Sequence, residues 1–195
     1  KFYLQVGYRQ AGAGDLELAA RRNVEEMRAG VGFALKNPEL CGPAKPLDGT
    51  LTPRAPWAPT LTGPSVVRVL RFDLGAGTYA QAATTRLVVT VDGQRTMDVP
   101  LTALFGLYWT QGDYASVGSA VSGQVWTWRF AIPVGQSLQL ELKGWGGKPL
   151  ESVAVRAYVE GLEAAPEYRL CAQYYSGVSV KDEPLHLLET SGPGL

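Results

Sequence analysis

From Ser65 onward this chain is written almost entirely in period two. "VVRVLRFDL", "TTRLVVTVDGQRTMDVPL", "WTWRFAIPVGQSLQLEL", "ESVAVRAYVEG" and "EYRLCAQYY" all place apolar and polar residues in alternation. That spacing sends successive side chains to opposite faces of an extended strand. Asp92-Gly93, between two β-rich arms, is the signature of a two-residue hairpin turn. Short strands with one apolar face each must bury it against a second sheet, so the expected fold class is an all-β, antiparallel sandwich. Hydrophobic residues make up 46% of the 195 residues and charged ones 18%, enough for one good core and too little chain for two large domains.

The part before Ser65 reads differently. "FYLQVGYRQ" (1–10) alternates as a strand, with Phe2, Leu4, Val6 and Tyr8 on one face. Asp15 is a natural helix N-cap. After it Leu16, Ala20, Val24, Met27, Val31 and Leu35 recur at helical spacing, with Arg21, Arg22, Glu25 and Arg28 on the wet face. This predicts one N-terminal amphipathic helix over 15–36. Prolines 38, 43, 46, 53, 56, 59 and 64 then crowd a stretch with almost no periodicity. Residues 37–58 are expected to be a linker or a wrap over a surface, in which Trp57 needs an apolar seat. The sandwich is expected over 59–175, with 176–195 extending towards a following module. Opening on Lys1 with no signal-peptide pattern, the chain reads as an excised or processed piece.

Several function classes find no raw material. Lys+Arg and Asp+Glu both number 18, so no basic excess draws in nucleic acid. Few charges and zero net charge favour association with other protein surface. No apolar run reaches the roughly 18–20 residues of a membrane-spanning helix. His186 is the only histidine, which leaves a Ser-His-Asp triad or a multi-histidine metal centre without ligands. Cys41 and Cys171 are two idle thiols or a single bridge, not a disulfide framework. Gly12, Gly14 and Asp15 lack the Lys-Ser/Thr pair of a phosphate loop. No cofactor or metal is expected.

Two aromatic groups stand out. Trp126, Trp128 and Phe130 share one strand face, which fits inter-sheet core first, a subunit interface second and a sugar platform third; Tyr174 joins Trp126 and Trp128 as an interface candidate. Trp109, Asp113 and Tyr114 sit together in the long loop "FGLYWTQGDYASVGSAVSGQ". Binding residues collect in such loops, and aromatic faces suit the C–H surfaces of sugars. These three are the ligand-binding candidates, with an ordinary loop Asp as the plainer reading of Asp113.

Four stretches carry a resemblance to a known family: "TLTGPSVVRVLRFDL" (60–74), "LVVTVDGQRTMDVPLTALFG" (87–106), "WRFAIPV" (128–134) and "AQYYSGVSVKDEPLHLLETSGPG" (172–194). In order and spacing the chain resembles part of the double jelly-roll proteins of glycoside hydrolase family 172. It departs at Ala103, where the family has Asp, and at Ala131 and Val134, where it has Pro and Phe. The family's catalytic glutamates, one in a "GTEDYF" element, have no counterpart before Leu195, so no catalytic residue carries over. The resemblance implies a jelly-roll sandwich, a carbohydrate-related role without hydrolysis by this chain, and trimeric assembly. The rival expectation is a structural, capsid-like jelly roll that self-assembles. Two echoes point to tandem modules: "FYLQVGYRQ" with "YRLCAQYYS" (168–176), and "APTLTGPSVV" (58–67) with "LLETSGPGL" (187–195). The two strand-like members, each with one arginine as its only charge and no proline, expect a partner along their edges.

Overall fold

The alternating stretches form strands. The computed structural model describes residues 44–107, 112–116, 118–174 and 176. In chain order its elements are β1 (Lys45–Leu51), β2 (Ser65–Asp73), α1 (Tyr79–Ala83), β3 (Thr85–Val91), β4 (Gln94–Pro100) and α2 (Leu101–Leu104). They continue with β5 (Tyr114–Ala115), β6 (Ser119–Ser122), β7 (Val125–Trp128) and β8 (Ile132–Val134). Last come β9 (Leu138–Gly144), β10 (Val153–Gly161) and β11 (Ala172–Gln173).

Two sheets result. The larger runs β1-β10-β2-β7-β6-β5, with β8 also paired to β2, and the smaller runs β11-β4-β3-β9. Pairing is antiparallel apart from β11, which lies parallel to β4 through Ala172 opposite Met97. Val67, Leu70, Phe72, Val153 and Val155 of the larger sheet share one buried cluster with Leu87, Val89, Leu138, Leu140 and Leu142 of the smaller. Each such side chain contributes about 1.5–3 kcal/mol on leaving water. Between them on the strands of the larger sheet, Arg71, Asp73 and Arg156 are exposed. The described residues therefore form an all-β sandwich, and none of their helices is long and apolar enough to cross a membrane.

The proline-rich stretch is more than a wrap. Residues Lys45–Leu51 form an edge strand that pairs with β10 along its whole length, and an edge tolerates Pro46. Further on, Trp57 exchanges two backbone hydrogen bonds with Leu140, both 2.9 Å. The Trp57 ring finds its apolar seat against the core cluster and over Gly49, where any Cβ would overlap the indole.

A second departure lies in "WTWRFAIPV". Leu70 pairs with Trp128 and Val67 with Ile132, so Arg68 and Val69 stand opposite Arg129, Phe130 and Ala131. Two residues facing three is a bulge. It separates β7 from β8 and takes Phe130 out of the face that Trp126 and Trp128 share. The expected strand 1–10 and helix 15–36, together with Cys41, Trp109, His186 and 177–195, lie outside the described residues. Cys171 is an exposed free thiol.

The Asp92-Gly93 turn ties three segments together. Asp92 and Gly93 have φ of 52° and 77°, the consecutive left-handed pair that gives a tight hairpin its twist. The Asp92 carboxylate then accepts N–H groups from Gly135, Gln136 and Ser137 at 3.0, 2.6 and 2.9 Å. Arg169, which also donates to Gln94, stands 3.9 Å away. Burial opposes ionisation of Asp92, but these N–H groups and the Arg169 charge outweigh it and hold the carboxyl below the usual range. A depressed folded value means the stabilisation is present above the ordinary carboxylate pKa of about 3.9 and is lost as pH falls through the folded value. Asp92→Asn keeps the turn preference and one acceptor but removes the charge. It is expected to cost about 1–2 kcal/mol, lowering Tm by about 2–8 °C at pH 7. The gap to wild type should close as pH drops below about 3.9, and thermal scans from pH 7 to 2 check this; a gap constant with pH would assign the loss to geometry.

Candidate functional site

The site begins just past the β3–β4 hairpin. β4 ends at Pro100, whose fixed φ leads directly into the single turn of α2. Leu101 and Thr102 of that turn are buried, and Phe105 comes next at 1% exposure. The Phe105 ring meets Phe72, Trp126 and Trp128 with centroids at 6.1, 5.2 and 6.3 Å, all edge to face. Such pairs contribute about 0.5–1.5 kcal/mol each beyond area burial. The aromatic face predicted from sequence is thus interior to this chain: Trp126 and Trp128 are each 3% exposed.

Opposite α2 the β5–β6 hairpin extends the larger sheet. Its Tyr114 hydroxyl donates to the Phe105 carbonyl and lies 2.8 Å from Ser119 Oγ, so one side chain fixes the hairpin to the turn after α2. Tyr79 of α1 does the same from the other side, donating to the Leu107 carbonyl. Its own helix starts on a capping box, Thr78 with Gln81, the reciprocal arrangement that satisfies two backbone donors.

Between these elements lies a cleft of about 680 Å³, within the range of small-ligand sites. Its described walls include Leu104, Phe105, Asp113, Tyr114, Trp128 and Phe130. Phe130, freed by the bulge, stacks on Trp128 at 4.6 Å and presses on Gly118, where a Cβ would overlap its ring. Asp113 is exposed, and its Oδ1 accepts the Gly123 N–H at 2.8 Å. It also borders a smaller cavity of about 150 Å³ beside Tyr79 and Trp126. Trp126 donates its indole N–H to the Gly123 carbonyl at 3.3 Å, while Trp128 Nε1 is buried with no partner among the described residues.

Of the residues expected from sequence, Asp113 and Tyr114 therefore share the cleft, and Trp109 lies outside the described residues. Tyr174 is half-buried, its ring 5.7 Å from Trp145. Sequence reading missed Phe130 as a cleft wall, because strict alternation put it in the core. The run of small residues "VGSAVSG" was the available signal, since glycine in a strand often marks close approach by another group. Among the described residues no three His, Cys, Asp or Glu side chains gather to hold a metal.

The cleft can offer aromatic and aliphatic surface for a ligand's C–H groups and one carboxylate for its donors. Asp113 is the only carboxylate among the described lining residues, whereas acid–base glycoside cleavage uses two, about 5–9.5 Å apart. No family model matches this chain, and no curated protein matches it significantly.

The Tyr114 hydroxyl is the joint between hairpin and turn. Tyr114→Phe leaves the Phe105 carbonyl without that donor and is expected to cost about 1–2 kcal/mol, a fall in Tm of about 2–8 °C. Differential scanning calorimetry checks it, and an unchanged midpoint would show that packing alone holds the hairpin.

Proposed function

We propose that this chain is a carbohydrate-binding jelly-roll protein, similar to part of a family 172 glycoside hydrolase, and that it holds its ligand without cleaving it. The strand order supports the jelly roll. β1-β10-β2-β7 in one sheet faces the Trp57 bridge, β9, β3 and β4 in the other. Among these eight segments, successive links pass from sheet to sheet except at the β3–β4 hairpin, and β1 beside β10 and the Trp57 bridge beside β9 bring distant parts of the chain together, as in two interleaved Greek keys.

The observation that carries the ligand reading is the cleft. Phe130 and Tyr114 supply flat rings for a pyranose face, and Asp113 supplies an acceptor for paired hydroxyls at the rim. Removing the carboxylate tests it. In affinity electrophoresis against a panel of neutral and acidic polysaccharides, wild type is expected to be retarded by at least one, and Asp113→Asn to lose about tenfold in affinity. Retardation by none, or release of reducing ends that survives repurification, would overturn the reading.

A second reading, assembly, is favoured by the edge at β11. This strand is two residues long, ends the order of its sheet, and comes after Tyr168, which is 71% exposed. Among the described residues no strand pairs with β11 beyond β4; an unpaired edge beside an exposed ring invites a partner strand, and a second copy can supply it, most simply in a closed ring such as a trimer. Light scattering at high micromolar concentration is expected to give a mass above the 21.0 kDa of one chain. A clean monomer would refute assembly and leave the cleft reading untouched.

A further inference from the structure

The outer face of the smaller sheet carries a second constellation, remote in sequence from the cleft loop. Alternation turns Leu87, Val89, Leu140 and Leu142 inward, so Arg86, Glu141 and Lys143 face out. Arg86 pairs with Lys143 across β3 and β9, and Val88 with both Asp98 and Glu141. Trp145 comes directly after β9. Its backbone N–H donates to the Thr84 carbonyl at 2.8 Å, fixing where the side chain leaves the sheet. Its ring has Arg86 at 5.6 Å from the centroid and Tyr174 edge-on at 5.7 Å. Even so Trp145 is 38% exposed, the only tryptophan among the exposed large apolar side chains of the described residues.

The polar groups beside it are held in place. Asp98 takes Arg86 Nε at 2.7 Å and Arg95 at 3.5 Å. Glu141 takes the Gln139 amide at 2.6 Å and Lys143 at 3.4 Å. Exposed ion pairs of this kind add little stability, but they fix the directions of donors and acceptors. Three cations (Arg86, Arg95 and Lys143) meet two anions (Asp98 and Glu141) on this face, and every one of them is in an ion pair, so little net charge is left to recruit an ion. A partly open indole ringed by fixed, ion-paired donors and acceptors suits an uncharged ligand with one C–H face and many hydroxyls.

We propose that Trp145 is the platform of a second carbohydrate site, on the outer face of the β9-β3-β4 sheet, which takes a neutral oligosaccharide chain. A sugar ring lies on the exposed part of the indole, beside Tyr174, and its hydroxyls bond Asp98, Glu141 and Lys143. This inference rests on the carbohydrate reading of the cleft and deepens it.

The test compares Trp145→Ala with Asp113→Asn, each confirmed folded by an unchanged far-UV spectrum, in affinity electrophoresis with neutral polysaccharides and in light scattering. The expected result is a loss of at least tenfold in affinity for one neutral polysaccharide in Trp145→Ala that Asp113→Asn does not share. Conservative Trp145→Phe should recover part of it. Unchanged affinity in Trp145→Ala, with a loss in Asp113→Asn, would overturn the platform and leave the cleft standing. No retardation of wild type would overturn both. A fall in assembly mass in Trp145→Ala, without a change in glycan affinity, would also overturn it and make this face a subunit contact.

Discussion

Phe105 is the contact on which the cleft end of the molecule depends. Its ring, 1% exposed, holds Phe72, Trp126 and Trp128 together, and its carbonyl receives the Tyr114 hydroxyl. One residue after a single-turn helix thus joins the aromatic core of the larger sheet to the hairpin that forms the cleft. The ring cluster is dry, so the bond from Tyr114 is made beside a low-dielectric interior, where unmet hydrogen bonds are costly. The Tyr114 joint fixes the hairpin wall of the cleft to the turn after α2.

Much of this was legible in the residues, because period two is a direct statement about faces. Leu138, Leu140 and Leu142 alternate in sequence and are all buried; Asp92-Gly93 spells its turn by the only backbone both residues share comfortably. Trp126 and Trp128 were readable as core, for a strand cannot leave two adjacent indoles unpacked cheaply. Asp113 and Tyr114 were readable as loop residues, and the hydrogen bonds that fix them were not, since each partner lies in a different element.

What stayed hidden has one cause: local pattern carries no information about a neighbour that arrives from elsewhere. β1 hides among prolines because its order comes from seven pairings with β10 rather than from its own propensity. Trp57 was seen to need a seat, but the seat is Gly49 and the Leu140 backbone. The bulge that frees Phe130 arises from a mismatch of two residues against three, visible only when both strands are aligned. Trp145 reads as the end of the strand "SLQLELKGW", and it gains meaning only once Arg86 and Tyr174 are found against it.

The two outer faces show how the same constraint yields different surfaces. On the larger sheet Val66, Val69 and Tyr158 are nearly dry, flanked by the Asp48–Arg156 and Arg68–Glu160 pairs. On the smaller sheet Val88 is equally dry, at 1%, between Asp98 and Glu141, yet the aromatic residue beside the face stays partly in solvent. Trp145 keeps over a third of its surface in water, on a face where every charged neighbour named above is ion-paired, and this is the physical difference between the two outer faces.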